Sequence, residues 1–325
     1  MKLVILCLLL SIAIPVFIQR FQSGIVSLKN VLRVKRFPQK TLLNASLLMF
    51  AEDGDLLDVL QTIRTVEDRW NKRFHYPWTI FSSKEVSPFF IESTSSVASG
   101  NCEYVQWDST EYLETGLKDD IYYLEQSGKL SDEGVNYSRS GSFHRYQEWI
   151  LHTLLYHPQL RFDYVWRLEP GVRFNCEENS DLFHEMEQNN ATLGFTNHVC
   201  ETRHTGILEL EQALDKYEQE WIPDRPRQAW EYFNEDVYCK YWPYNEIIAL
   251  RKFRENSSLV QLTQHLLNEG GIYYHRWTES DILSLVLKVY DSPTLHLSTI
   301  GYLFRPDANH CPDIESGRCA CYIEV

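Results

Sequence analysis

The feature that most constrains this chain is a strand, an acidic turn, a helix and a second strand that follow one another without a break. Residues 46–51 are a run of almost wholly apolar side chains, which is typical of a strand buried on both faces. The turn at 52–55 carries residue types that begin helices, and apolar residues at helical spacing follow over 56–74. Residues 76–81 then predict the next strand. The sequence therefore predicts an α/β fold in which neighbouring strands are mostly parallel.

The composition limits the partners and the number of domains. The 325 residues are 44% apolar and contain no linker long enough to separate independent domains, so one globular domain is predicted over residues 42–325. The net charge of -14 leaves no basic stripe for DNA or RNA phosphates, which argues against a nucleic-acid partner. Neither a Gly-x-Gly-x-x-Gly motif nor a P-loop motif is present, so an ordinary dinucleotide-binding domain and a P-loop NTPase are not indicated.

The N-terminus contains one uncharged apolar segment, residues 3–18. It is shorter than the roughly 20 residues of a typical membrane span. We therefore expect residues 1–19 to be either a signal anchor or a signal peptide, and the polar, basic residues 20–41 to be a stem. A lumenal position of the globular domain is favoured by four N-glycosylation acceptors, which are Asn44, Asn136, Asn190 and Asn256.

Seven cysteines follow the apolar segment, and in a lumenal domain they would face an oxidising environment. An odd number leaves at least one of them unpaired or paired between chains. The spacing of the last three, Cys311, Cys319 and Cys321, does not match a zinc site. Disulfides are therefore the expected role of most of these cysteines.

Residues 164–173 carry the strongest candidate for chemistry, with the sequence Tyr-Val-Trp-Arg-Leu-Glu-Pro-Gly-Val-Arg. A short apolar strand here delivers Glu169 onto a turn. Pro170 biases Glu169 toward an extended conformation, and Gly171 allows the chain to turn sharply. A carboxylate at a strand end with arginines on either side suits a site for a metal ion and a diphosphate. The alternative is a surface glutamate paired with an arginine.

Seven groups of residues, in order from about residue 42 to the C-terminus, extend this pattern. They are 66–71 with 75–78; 166–172; 194–196; 239–242 with 246–247; 270–277; 300–302; and 311–312 with 317–321. On these segments the chain resembles the fungal α-1,2-mannosyltransferases of glycosyltransferase family 15. The resemblance implies a GT-A type fold: a mixed, mostly parallel central sheet flanked by helices.

The resemblance also implies an activity and a location. Members of the family transfer mannose from GDP-mannose to a mannose-containing glycan, with retention of the α-configuration, in protein glycosylation and mannan synthesis. They use a divalent cation, typically Mn²⁺. They are type II proteins of the Golgi membrane, which implies an N-terminal anchor and a lumenal catalytic domain.

The family's functional positions fall on particular residues of this sequence. Glu169 stands at the metal-binding carboxylate, and Arg167 is expected near the donor diphosphate. Glu246 stands at the catalytic carboxylate that faces the anomeric carbon, where it would stabilise positive charge. Beside it, Tyr241 and Trp242 would either stack on a sugar ring or belong to the core. On local grounds alone, Glu246 could instead be an exposed glutamate at the start of a helix.

Some positions depart from the family pattern. Phe304 occupies the position of a histidine expected in the metal shell, and phenylalanine cannot bind a metal; His296 or His310 could substitute. The acidic pair Glu52-Asp53 replaces a basic residue, and it would repel a nucleotide phosphate unless it points away. The sequence thus leaves two main hypotheses: an active, Mn²⁺-dependent α-mannosyltransferase, and a non-catalytic Golgi protein that binds a glycan or a partner enzyme. A third is another retaining glycosyltransferase, because a fold does not fix the substrate.

Overall fold

The computed structural model describes residues 41–107, 116–202, 205–224, 237–304, 308–312 and 318–320. The strands are β1 (Ala45–Phe50), β2 (Trp78–Ser82), β3 (Cys102–Gln106), β4 (Tyr164–Leu168), β5 (Arg173–Phe174), β6 (Leu193–Phe195), β7 (His198–Thr202), β8 (Val237–Tyr241), β9 (Asn245–Ile248), β10 (Thr294–His296), β11 (Tyr302–Phe304) and β12 (Ala308–His310). The helices are α1 (Leu56–Arg69), α2 (Pro88–Val97), α3 (Asp120–Asp132), α4 (Gly141–Tyr156), α5 (Leu182–Gln188), α6 (Thr205–Trp221), α7 (Leu250–Glu255), α8 (Ser257–Glu269), α9 (Gly271–Tyr274) and α10 (Glu279–Val289).

A seven-stranded sheet with the order β10-β6-β9-β4-β1-β2-β3 forms the centre of the fold. Strand β1 lies inside it and pairs in parallel with β2 and with β4. Strand β9 is antiparallel to both of its neighbours, β4 and β6. The predicted mixed, mostly parallel sheet is therefore confirmed. Smaller pairings join β12, β11 and β5 in one sheet and β7 with β8 in a ribbon.

The two faces of the central sheet supply two separate apolar clusters, which the side chains of β1 show directly. Leu48 and Phe50 belong to one cluster, together with Trp149 of α4. Leu47 belongs to the other, together with Val59 of α1. Successive side chains of a strand point to opposite faces, so a strand in the middle of an α/β/α sandwich is apolar at nearly every position. All six residues of β1 are buried, as the apolar run predicts.

Helix α1 is shorter than the predicted helix over 56–74. It ends at Arg69 because Trp70, with φ of −141°, leaves the helical conformation. Asn71 stabilises the turn after the helix, since its side chain donates to Tyr76 O (3.0 Å) and accepts from Tyr76 N (2.9 Å). Both backbone groups of Tyr76 are thereby held by a side chain, and β2 begins two residues later, at Trp78.

Helix α8 has a defined signal at each end. Asn256 caps its start by accepting hydrogen bonds from the backbone N–H groups of Ser258 (3.1 Å) and Leu259 (3.4 Å). Gly270 ends it with φ of 79°, a left-handed conformation that glycine adopts without strain. A side chain at Gly270 would also collide with Gly116 O, 2.3 Å from the position of a Cβ.

Disulfides are present, as the cysteine count predicts. They join Cys176 to Cys319 and Cys200 to Cys239, and Cys311 is disulfide-bonded as well. The second of these bonds ties β7 to β8, where its two cysteines face each other in the strand register. Cys102 is half-buried with a free thiol, whose pKa burial raises to about 11.

The predicted anchor over 1–19 and, except for Thr41, the predicted stem over 20–41 lie outside the described residues. Within the part of the chain that is described, no helix is both long and apolar enough to cross a membrane.

Candidate active site

A cavity of about 430 Å³ lies at the carboxyl ends of β1, β2 and β4, and we call it the strand-end cavity. In open α/β sheets, ligands bind at this edge, where the chain leaves the strands. Four carboxylates line the cavity: Glu52, Asp55, Asp58 and Glu169. Five aromatic residues line it as well: Phe50, Phe81, Trp107, Tyr146 and Trp149.

The aromatic residues form a continuous wall that is centred on Trp149. The ring centroid of Trp149 lies 4.4 Å from that of Phe50, 5.5 Å from that of Phe81 and 4.0 Å from that of Trp107. The Phe50 contact is edge-to-face, with an interplanar angle of 82°. Such a wall offers apolar surface to a planar ring, for example a nucleotide base.

The backbone around Glu169 forms the turn that Pro170 and Gly171 predict. Glu169 N–H donates to Tyr244 O (3.2 Å), and Glu169 O accepts from Val172 N–H (3.2 Å). Gly171 has φ of 95°, and its N–H donates to Thr62 Oγ1 (2.9 Å). The turn therefore fixes the point at which the Glu169 side chain leaves β4.

The carboxylate of Glu169 faces the strand-end cavity from a half-buried position. Tyr146 donates its hydroxyl to Glu169 Oε1 at 3.2 Å. Loss of solvent raises the pKa of Glu169, and the nearby positive charge of Arg167 opposes that shift. Within the described residues no cation lies within 4 Å of this carboxylate, so it is not the surface ion pair of the alternative hypothesis.

A single protein carboxylate at this edge fits a divalent cation that takes most of its ligands from elsewhere. Among the described residues, no group of three His, Cys, Asp or Glu side chains is close enough to hold a metal ion by itself. Asp55 is already engaged, since it accepts a hydrogen bond from Glu52 N–H (2.9 Å). Glu169 is oriented into the cavity, and diphosphate oxygens and water can supply the remaining ligands of a small divalent cation.

Phe304 lies beside the Glu169 turn as an apolar packing residue. Its ring centroid is 5.1 Å from that of Tyr244, and its Cε2 is 3.6 Å from the position of a Cβ on Gly171. Neither candidate histidine takes its place: His296 Nε2 lies 3.1 Å from Thr196 O, and His310 Nε2 lies 3.1 Å from Ser298 O.

Glu52 and Asp53, the acidic pair after β1, point in different directions. Asp53 turns toward α2, where its carboxylate accepts hydrogen bonds from Ser87 N–H (3.1 Å) and Ser87 Oγ (2.6 Å). Glu52 stays in the cavity lining and contacts the Ser83 hydroxyl. Of the pair, only Glu52 therefore lines the cavity.

Arg167 and two glutamates form a second charged group behind this edge, which we call the Arg167 ion group. Arg167 is fully buried. Its Nε lies 3.2 Å from Glu246 Oε1, and its Nη2 lies 2.8 Å from Glu279 Oε1. Both nitrogens also donate to Pro243 O, at 2.9 and 2.6 Å. The guanidinium thus contacts protein groups from two separate segments, residues 243–246 and the start of α10.

Glu246 belongs to strand β9, where it pairs directly opposite Arg167 of β4. The alternative of an exposed glutamate at a helix start is therefore wrong: the residue is only 1% exposed. The pKa of Glu246 is raised to about 7, because burial and the negative charges of Glu279 and Glu169 together outweigh the lowering effect of Arg167. No local pattern in the sequence signals the partnership of Glu279 with Arg167.

The two aromatic residues next to Glu246 have different surroundings. The Tyr241 ring packs on Phe195 (4.7 Å) and His198 (5.2 Å), so it belongs to the edge of the core. Trp242 lines a second cavity of about 280 Å³, which Glu279 and Tyr244 also line. Its Nε1 is buried and has no hydrogen-bond partner in the described part of the chain. Of the two residues, Trp242 lines this second cavity and Tyr241 does not.

Helix α4 connects the two cavities. Tyr146 and Trp149 line the strand-end cavity, whereas Phe143 and Gln147 line the second one. Gln147 also accepts a hydrogen bond from Glu279 N–H (3.1 Å). The site is thus two neighbouring cavities; of the Arg167 ion group, Glu279 lines the second one, whereas Arg167 and Glu246 line neither.

Comparisons with known proteins bear on this arrangement. A family model described as "Glycolipid 2-alpha-mannosyltransferase" matches residues 17–324. A protein of Schizosaccharomyces pombe, named O-glycoside alpha-1,2-mannosyltransferase homolog 6, is 40% identical over 297 residues, which are 85% of this chain and 99% of that protein.

Two solved structures are similar in fold. Core-mannan synthase A (CmsA/Ktr4) from Aspergillus fumigatus, in its Mn/GDP form, has a TM-score of 0.74 and 26% identity, covering 87% of this chain and 79% of its own. The mannosyltransferase Ktr4p from S. cerevisiae, in complex with GDP, has a TM-score of 0.73 and 24% identity, covering 88% and 76%.

Proposed function

The chain belongs to the glycolipid 2-alpha-mannosyltransferase family, and from this premise we propose that it transfers mannose from GDP-mannose to a mannose-containing glycan with retention of configuration. The family, the glycosyltransferase class and the GT-A type fold that the sequence predicted are confirmed. The observation that carries the proposal is the strand-end cavity, in which an aromatic wall and an available carboxylate face each other.

The strand-end cavity is the proposed donor site. The aromatic wall centred on Trp149 would hold the guanine ring. Glu169 would hold Mn²⁺ together with the donor diphosphate. A bound cation supplies charge neutralisation for the leaving diphosphate. Support comes from the related A. fumigatus enzyme, which was solved with Mn and GDP, and from the position of Glu169 at the carboxyl end of β4.

Glu246 is proposed to stabilise the positive charge that develops on the anomeric carbon. A buried carboxylate is effective in this role because few water molecules screen it. Arg167 would act through Glu246 and Glu279 and not through direct contact with the diphosphate, since its guanidinium is enclosed by these carboxylates and Pro243 O. Its effect on the donor would be electrostatic.

The second cavity is the proposed acceptor site. Trp242 offers an aromatic face, and Glu279 offers carboxylate oxygens, which together match the apolar faces and hydroxyl groups of a sugar. Tyr241 would support this region from the core.

We propose that the catalytic domain is lumenal and anchored in the Golgi membrane through residues 1–19. Disulfides form in oxidising compartments, and the four glycosylation acceptor asparagines are all exposed. Treatment of the protein from its native host with an endoglycosidase should increase its mobility on a denaturing gel. An unchanged mobility would argue against a lumenal domain.

The function is tested by calorimetric titration of GDP and Mn²⁺, separately and together, into the wild-type protein and Glu169→Ala. We expect Mn²⁺-dependent GDP binding that the variant loses. Glu125→Ala, which removes an exposed carboxylate from α3, is the matched control and should bind as the wild type does. Glu246→Gln should retain GDP binding but transfer mannose on the order of 10²–10³-fold more slowly.

A folded protein that ignores GDP with and without Mn²⁺ would contradict the proposal. It would favour the other hypothesis, a non-catalytic protein that binds a glycan or a partner enzyme. The apolar packing of Phe304 at the Glu169 turn is the observation that favours that hypothesis.

A further inference from the structure

We infer that Tyr146 is a positioning residue for Glu169, which holds the carboxylate in the orientation that a cation needs. The inference rests on the proposed function, because it assumes that Glu169 binds the cation. No sequence pattern marks Tyr146; it lies within helix α4, 23 residues before Glu169.

The contact is specific to one oxygen of the carboxylate. The Tyr146 hydroxyl donates to Glu169 Oε1 at 3.2 Å, and within the described residues the carboxylate receives no other hydrogen bond. The turn fixes the Glu169 backbone, but it leaves the side-chain torsions free to rotate. The tyrosine selects one rotamer and leaves Oε2 for another ligand.

Tyr146 is itself held in place, so the orientation it imposes is well defined. Its ring lies edge-to-face on Phe50, with centroids 5.7 Å apart and planes at 86°. On the other side it lies nearly parallel to Trp149, with centroids 6.4 Å apart and planes at 21°. The same two residues form the wall of the strand-end cavity, so the donor pocket and the Tyr146 hydroxyl are built as one unit.

A neutral donor suits a cation site better than a charged one. An arginine at this place would cancel the charge of Glu169 and would repel a divalent cation. A tyrosine hydroxyl carries no charge near neutral pH. It therefore orients the carboxylate without neutralising it. This matters more here because Phe304, beside the turn, offers no ligand.

The test uses Tyr146→Phe, which keeps the ring and removes the hydroxyl. Calorimetry measures the Kd of Mn²⁺ at saturating GDP and, separately, the Kd of GDP without metal. We expect Mn²⁺ binding to weaken by on the order of 10-fold while metal-free GDP binding is unchanged. Tyr104→Phe is the matched control, because it removes a hydroxyl that bonds Thr94 Oγ1 (2.6 Å) away from the cavity. It should leave both Kd values unchanged.

Combination with Glu169→Ala separates the possible outcomes. If Tyr146 acts through Glu169, Tyr146→Phe adds no further loss in the Glu169→Ala background. Wild-type Mn²⁺ affinity in Tyr146→Phe, with loss in Glu169→Ala, overturns this inference and leaves the proposed function standing. Equal weakening of GDP binding with and without metal also overturns it, because that result indicates a merely structural role. A wild-type protein that does not bind Mn²⁺ with GDP overturns both.

Discussion

Glu169 and Glu246 lie on or next to neighbouring strands, yet one faces a cavity and the other is buried beside an arginine. Glu169 follows the last residue of β4 and faces a cavity, where a neutral tyrosine hydroxyl is its hydrogen-bond donor. Glu246 lies inside β9 and faces a buried arginine. A strand end leaves a side chain open to a ligand, whereas a position within a central strand buries it. The first carboxylate is available to an external cation, and the second is already compensated by the protein.

The two carboxylates nevertheless interact. Burial raises the pKa of both, Glu279 adds to both shifts, and Arg167 opposes both. One guanidinium thus faces three carboxylates in a region of low dielectric constant. A divalent cation at Glu169 would relieve this excess of negative charge, so the Arg167 ion group itself favours the proposed metal site.

Removal of Arg167 should have the largest effect on stability. Arg167→Met leaves Glu246 and Glu279 buried without a counter-charge, which should lower the free energy of unfolding by about 3–5 kcal/mol at pH 7. Urea denaturation followed by circular dichroism measures it. Glu169→Ala provides the comparison, since the strand-end carboxylate has no ion pair to lose, and should change stability by less than about 1 kcal/mol.

The triple variant Arg167→Met, Glu246→Gln, Glu279→Gln removes all three charges at once. It should regain most of the stability that Arg167→Met loses, because no buried charge then remains unpaired. A triple variant as unstable as the single one would show that packing, and not charge, makes Arg167 necessary.

The local parts of this arrangement could be predicted from the sequence, and the parts that depend on strand register could not. The β1–α1–β2 unit and the turn after Glu169 follow from runs of neighbouring residues. The environment of Glu246 depends on the pairing of β9 with β4, two strands far apart in the chain. A shift of one residue in that register would have moved Glu246 away from Arg167.

Arg167 shows the same limit. Its nearness to Glu169 was evident, since only Leu168 separates the two residues in the sequence. The sequence did not show that Pro243 and Glu279, which come from distant segments, enclose its guanidinium. Helix α4 carries Tyr146 to Glu169, but an apolar pattern alone does not tell which residue of a helix will reach a distant side chain.

Glu246 should make stability depend on pH in a defined direction. Its pKa in the folded protein is about 7, above the usual value of 4.5, so the folded state binds the proton more tightly than the unfolded state does. The stability that Glu246 gains from this tighter proton binding is fully present below about pH 4.5 and is lost as the pH rises through about 7. Between pH 5 and pH 8, the free energy of unfolding of the metal-free wild type should therefore fall by about 1–3 kcal/mol relative to that of Glu246→Gln.

Urea midpoints of the two proteins at pH 5, 6, 7 and 8 measure this difference. Glu125→Gln, at an exposed site on α3, should follow the wild type at every pH. Parallel curves for the wild type and Glu246→Gln would mean that Arg167 keeps Glu246 ionised at every pH. Glu246 would then differ from Glu169 even more than we propose.

Phe304→His should have the smallest effect, and it tests the strand-end side of the comparison. The Phe304 ring lies 3.6 Å from the Cβ position of Gly171, so an imidazole there would stand beside the turn that carries Glu169. A neutral imidazole nitrogen is a suitable ligand for Mn²⁺, and the Mn²⁺ Kd at saturating GDP should fall by about 3–10-fold at pH 7.5. Phe304→Leu removes the ring without adding a ligand, so it should leave that Kd unchanged. The gain should disappear below about pH 6, where a protonated histidine cannot bind a metal. If the histidine variant binds Mn²⁺ no better than the leucine variant, position 304 does not reach the cation, and Glu169 must serve as the protein's ligand without help from β11.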